Sequence, residues 1–167
     1  GICSLGSTHA AEGNKIKVGI LLPLTGTFAA VAETQREGAL LAIDVVNKRG
    51  GIHSHRLDVV TVDDEGMGAT AAVVAQQLVD ADSVLAVVGH ANSSATVAAA
   101  RVYDGQLASV SPSASSPEIT GLSRWLFRVI PSDSANGIEL ARFAKALGHT
   151  RAAILYDCEC AAPAGRL

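Results

Sequence analysis

The chain has 167 residues, a formal net charge of −3 and 17% charged residues. That length holds one ordinary domain, or one domain and part of another. The absence of a basic block removes nucleic acid and polybasic membrane surfaces from the candidate partners. Hydrophobic residues make up 49% and aromatics only 4%, so helices must pack through small side chains at close range.

Three cysteines, Cys3, Cys158 and Cys160, sit at the two ends. They form no zinc-type pair, and a disulfide framework is not expected. Cys3 in GICSLG has the setting of a lipid-bearing cysteine left after a lipoprotein signal is cut. No apolar run is long enough to span a bilayer.

Residues 1–14 (GICSLGSTHAAEGN) are small and polar and read as a flexible leader. Ile16 to Leu22 is the first strand, apolar enough to lie centrally. Pro23 and Gly26 break it. Thr34 to Arg49 is expected to be helical, with Ala39, Leu40, Ile43 and Val46 on one face, and Gly50-Gly51 ends it. Arg56 to Val62 is a second strand, closed by Asp63, Asp64 and Glu65. This acidic run matches no calcium loop and reads as a solvated turn. Gly68 to Asp80 is a second helix whose expected core stripe is Ala72, Val73, Gln76 and Val79.

Val84 to Tyr103 organises the rest. Val84 to Val88 is a short buried strand that Gly89 stops. His90 to Ser94 turn the chain, and Ala95 to Tyr103 are helical. Ser93 or Ser94 stands where an N-cap belongs. Free backbone N–H groups and a positive dipole end therefore emerge beside two hydroxyls, a geometry that receives a carboxylate or phosphate. Capping alone also explains these serines. A second hydroxyl loop, Ser111 to Pro117, follows a fourth strand, Leu107 to Ser111. Trp125 to Ile130 is a fifth strand, with Trp125 and Phe127 expected in the core.

Strands alternating with helices predict an α/β fold, a doubly wound parallel sheet in order 2-1-3-4-5. Such sheets bind ligands beyond the carboxyl ends of their strands, where the order reverses. After residues 15–130, the segment 131–167 starts again, with a helix at Ser132 to Leu147 and a strand at Arg151 to Tyr156. It reads as the opening of a second, truncated α/β lobe.

Several enzyme signatures are absent. LPLTGTF carries no GxGxxG, no GxxxxGK[ST] occurs, and no GxSxG elbow precedes a helix. His90 lies near Ser93, but no third residue is evident to orient it. The bland reading is a loop histidine bonded to backbone. No metal or cofactor site is indicated.

The stretches IKVGILLPLTGTFA, GALLAIDVVNKRGGI, LDVVTVDDEG, VVGHANSSAT, SVSPSASSPEIT, FRVIPSD and AAILYD come in the right order to resemble a known family. They are similar to the amino-terminal half of the branched-chain amino-acid (Leu/Ile/Val) substrate-binding proteins of ABC transporters, of the type I periplasmic binding fold. The resemblance implies a two-lobed clamp that makes and breaks no bond, an extracytoplasmic location and a permease partner. By the same resemblance Ser93 takes the ligand carboxylate, with Ser94 beside it. Ser113 and Ser115, the latter in place of the usual Thr, supply further contacts. Asp133 matches an acid near the ligand. Val31 stands where an aromatic often covers the ligand, and Asn92 where a half-cystine sometimes occurs. The tail CECAAPAGRL departs from the family, as a frame change or a truncated gene would produce. The alternatives are a ligand-sensing domain for amides, urea or aromatic acids, and an α/β enzyme fragment.

Overall fold

In the computed structural model, which describes residues 15–81 and 84–153, β1 (Ile16–Leu22) is the strand on which everything else packs. Its Ile20, Leu21 and Leu22 have no exposed surface. Successive side chains of a strand point to opposite faces. Leu21 accordingly enters a cluster with Ala71, Ala75, Leu78, Val87, Ala95, Ala99 and Tyr103. Ile20 and Leu22 enter a second cluster with Ala32, flanked by Leu40 and Ile43. One strand thus anchors two helical layers.

The chain runs β1, α1 (Ala29–Lys48), β2 (Leu57–Asp63), α2 (Gly68–Asp80), β3 (Ala86–Gly89), α3 (Ser93–Tyr103), β4 (Ala108–Ser111), β5 (Leu126–Arg128) and α4 (Asp133–Ala146). The sheet is parallel throughout, in order β2-β1-β3-β4-β5, as expected. The order reverses at β1 and β3, whose register pairs Val18 with Ala86 and Leu21 with Gly89. At this last pair the backbones are so close that a Cβ on Gly89 would lie 2.1 Å from the Leu21 carbonyl oxygen. Gly89 also has φ of 142°, which side-chain-bearing residues rarely adopt.

Several expectations need correction. Helix α1 begins at Ala29, inside the segment read as loop, because the Ala32 N–H already bonds the Phe28 carbonyl. The buried stripe of α2 is Ala71, Ala75 and Leu78, while Val73 is 57% exposed. Close approach to α3 selects the smaller face: Gly68 stands where a Cβ would come within 3.2 Å of the Ser94 carbonyl. Trp125 and Phe127 are not core residues. They lie beside and on the edge strand β5 and stay 39% and 55% exposed. Residues 151–153 carry no regular structure, and the rest of the sixth strand lies outside the described residues, as do Cys3 and the leader.

Helix α4 starts on Ser132, whose hydroxyl accepts from the Ala135 N–H. It buries none of its residues, and Ile138, Leu140, Phe143 and Leu147 face solvent. No helix among the described residues is long and apolar enough to cross a membrane.

Candidate functional site

Loops leaving the carboxyl ends of the strands enclose a cleft of about 1070 Å³. Pro23, Phe28, Val31 and Ala32 follow β1. Gly66 follows β2, Ala91 to Ser94 follow β3, Ser113 and Ser116 follow β4, and Asp133 follows β5. This is the crevice where doubly wound sheets hold ligands. The structure therefore brings Val31, Ser93, Ser94, Ser113 and Asp133 around one hollow. Ser115 does not line it. Its hydroxyl stands behind, donating to the Asp133 carboxylate at 3.0 Å, while the Asp133 N–H bonds the Ser115 carbonyl.

The first turn of α3 differs from its sequence reading in one respect. The N-cap residue is Asn92, with extended backbone, and no side chain caps the turn. Ser93 and Ser94 are helical residues instead. The N–H groups of the first helical turn have no intrahelical acceptor, and the helix dipole directs positive potential at the cleft. The Ser93 hydroxyl accepts from the Ser116 N–H at 3.2 Å, which ties the two serine loops together. The Ser113 hydroxyl donates to the Ala91 carbonyl and accepts from the Gln35 amide, both at 3.0 Å.

Beneath the cleft lies a buried polar chain that the sequence did not reveal. His90 Nδ1 meets Asp64 Oδ2, and His90 Nε2 meets the Tyr103 hydroxyl at 3.2 Å. All three residues are at most 1% exposed. The His90 ring is thus bonded to side chains, not to backbone, and Asp64 orients it. Both ring nitrogens are taken, which leaves neither for Ser93, so His90 and Ser93 form no catalytic pair. Asp64 is likewise no solvated turn residue. Its other oxygen accepts from the Gly66 N–H. The His90 carbonyl accepts from the Thr96 and Ser111 hydroxyls. One residue thereby fixes the ends of β3 and β4 and the start of α3.

Asp63, next door, secures the loop after β1. It accepts from the Leu24 and Glu65 N–H groups and from the Thr25 hydroxyl. Partial burial raises its pKa, but these hydrogen bonds outweigh burial and hold the carboxyl below its ordinary value. Among the described residues no cluster of His, Cys, Asp and Glu is arranged to hold a metal.

Sequence reading also missed Arg101, which lines the cleft with Ser93, Ser94, Val97 and Ala98. The signal was available: these positions recur at steps of about four, one face of a helix.

The family described as periplasmic binding protein matches residues 15–162. The Leucine-, isoleucine-, valine-, threonine-, and alanine-binding protein of Pseudomonas aeruginosa is 34% identical over 154 residues, covering 90% of this chain and 41% of that protein. The Leucine-specific-binding protein of Salmonella typhimurium is 31% identical, covering 94% and 43% respectively. Among solved structures, the branched-chain amino acid transporter substrate binding protein of Streptococcus pneumoniae in complex with isoleucine superposes with a TM-score of 0.69 at 36% identity. It covers 72% of this chain and 35% of that one. The ABC transporter substrate-binding protein of Desulfitobacterium hafniense in complex with Leu gives 0.70 at 31% identity, covering 81% and 40%. The chain thus spans about two fifths of the length of these relatives, and the family match covers all of its described residues: it belongs to the periplasmic binding protein family.

Proposed function

We propose that the cleft binds an amino acid or a similar small carboxylate, and that the protein is an extracytoplasmic solute-binding protein serving an ABC-transporter permease. In this reading Ser93, with the N–H groups of the first turn of α3, takes the carboxylate. Ser113 and Asp133 face the ammonium, Ser115 orients Asp133, and Val31 lies against the ligand side chain. No bond is made or broken, so the protein is a carrier and not an enzyme. Cys3 would attach it to the membrane through a lipid.

The observation that carries this reading is the meeting of Ser93 and Ser113, from the exits of two different strands, at the open amino-terminal turn of α3. A carboxylate there gains hydrogen bonds and a favourable dipole at once. Support comes also from the relatives, whose names and complexes are of leucine and isoleucine binding.

The test is calorimetric titration of L-leucine, L-isoleucine and L-valine into the protein as expressed from its own gene. A hydroxyl bond to a charged group is worth about 1.5–3 kcal/mol, so Ser93→Ala should weaken binding about 10- to 100-fold. Equal affinity in the variant would remove Ser93 from the site. Absence of heat with every amino acid would remove the reading.

A further inference from the structure

Resting on the amino-acid reading, we infer that the cleft continues into a second, charged subsite formed by Arg101 and Glu118, which takes the distal head of a diamino dicarboxylic acid. The starting observation is one face of α3. Ser94, Val97, Ala98 and Arg101 stand at steps of three and four, which sets them in one row on a helix. All four line the hollow. Glu118 lines it too, from the short helical turn Pro117–Ile119.

Arg101 and Glu118 carry opposite charges, and both are exposed. Among the described residues neither side chain forms an ion pair or a hydrogen bond, with the other or with any third group. On α1 and α4, by contrast, Arg36 pairs with Glu33, Lys48 with Asp44 and Arg142 with Glu139. An unpaired arginine and an unpaired carboxylate on the walls of one hollow suit a carboxylate and an ammonium borne on the same carbon. The planar guanidinium fork matches the carboxylate, and Glu118 accepts from the ammonium.

Between the first-turn serines and Arg101 the row is apolar. Val97 and Ala98 are half-buried and offer a floor for methylene groups. From Ser94 to Arg101 the helix rises about 10.5 Å. The arginine side chain leans back toward the helix N-terminus, which brings its head within reach of a short methylene linker. The volume agrees. The hollow measures about 1070 Å³, and cavities of roughly 300–1,000 Å³ hold drug-sized ligands, so leucine alone leaves much of it open. A ligand with an amino-acid head at each end meets polar partners at both ends and an apolar wall between them.

The experiment is calorimetric titration of four ligands into the whole protein. They are LL-2,6-diaminopimelate, L-2-aminopimelate without the distal ammonium, L-2-aminoheptanoate without either distal group, and L-leucine. Wild type should bind diaminopimelate at least about tenfold more tightly than aminoheptanoate, an advantage that shrinks as salt is raised. Arg101→Gln should weaken diaminopimelate and aminopimelate by about three- to tenfold and leave aminoheptanoate and leucine unchanged. Glu118→Gln should weaken diaminopimelate by a similar factor and leave aminopimelate unchanged or tighter. Unchanged leucine affinity in both variants shows that they fold. Equal affinity of wild type for diaminopimelate and aminoheptanoate would overturn the inference while leaving amino-acid binding standing. So would an undiminished preference in both variants, or equal losses for all four ligands. Absence of heat with every ligand would instead bring down the reading beneath it, and this inference with it.

Discussion

His90 Nδ1 stands 2.5 Å from Asp64 Oδ2, and neither side chain has more than 1% of its surface exposed. The pair joins the turn that carries Ser93 to the loop that carries Gly66, two walls of the cleft. Removing one partner leaves the other polar and buried, at a cost of about 3–5 kcal/mol. His90→Leu and Asp64→Leu should each lower the unfolding free energy by that order in urea titration. The double variant should cost less than their sum, with a coupling of about 0.5–3 kcal/mol. Additive losses would show that the two residues do not act together.

Tyr103 gives an alkaline signature. Burial, and next the Asp64 charge, push its phenol well above the ordinary value of 10.0. The folded state then holds this proton at pH values where the unfolded chain releases it. The contribution is fully present below pH 10.0 and is lost as pH climbs toward the folded value. Urea midpoints should fall above that pH in the wild type and fall less in Tyr103→Phe. The same substitution leaves His90 Nε2 unpaired, a loss of about 1 kcal/mol at neutral pH. Identical alkaline slopes would exclude Tyr103 as the source.

Gly89 is a backbone position with no room for a side chain. A Cβ there would sit 2.1 Å from the Leu21 oxygen, at the β1–β3 pairing where the strand order reverses. Gly89→Ala should cost more than the roughly 1–3 kcal/mol of a strained backbone alone, read as a collapse in soluble yield or a large drop in melting temperature. A wild-type melting curve would contradict the close approach.

Arg128 braces the second serine loop from β5. Its guanidinium donates to the Ser116 carbonyl at 2.9 Å and to the Thr120 hydroxyl at 2.6 Å. Lysine has no planar fork to span both. Arg128→Lys should cost about 1.5–3 kcal/mol and speed hydrogen exchange over residues 115–120. Unchanged exchange there would mean the loop holds itself.

The elements that were legible in the sequence are those written in local periodicity. The apolar run of β1, the glycine stop after β3 and the span of α2 needed no tertiary information, because strands and helices alternate their side chains at fixed steps. The stripe of α2 was misread for a physical reason. Ala71, Ala72, Val73, Val74 and Ala75 are apolar on more than one face. Only the approach of α3, with Ala95 and Ala99 facing across, picks the side that lets the helices come close. Trp125 and Phe127 were assigned to the core by hydropathy, but β5 is an edge strand, and burial there depends on what lies beyond it.

The site divides the same way. Sequence alone determined that a hydroxyl-bearing turn opens a helix after a buried strand, and that a second such loop leaves the next strand, because short-range propensity settles both. The three-dimensional packing decided which partner each polar side chain meets. Ser93 meets Ser116, Ser113 meets Gln35, and His90 meets Asp64, partners separated by 23, 78 and 26 positions along the chain. A hydroxyl or imidazole takes its polarity from whatever group the fold sets within about 3 Å. No local pattern records that neighbour.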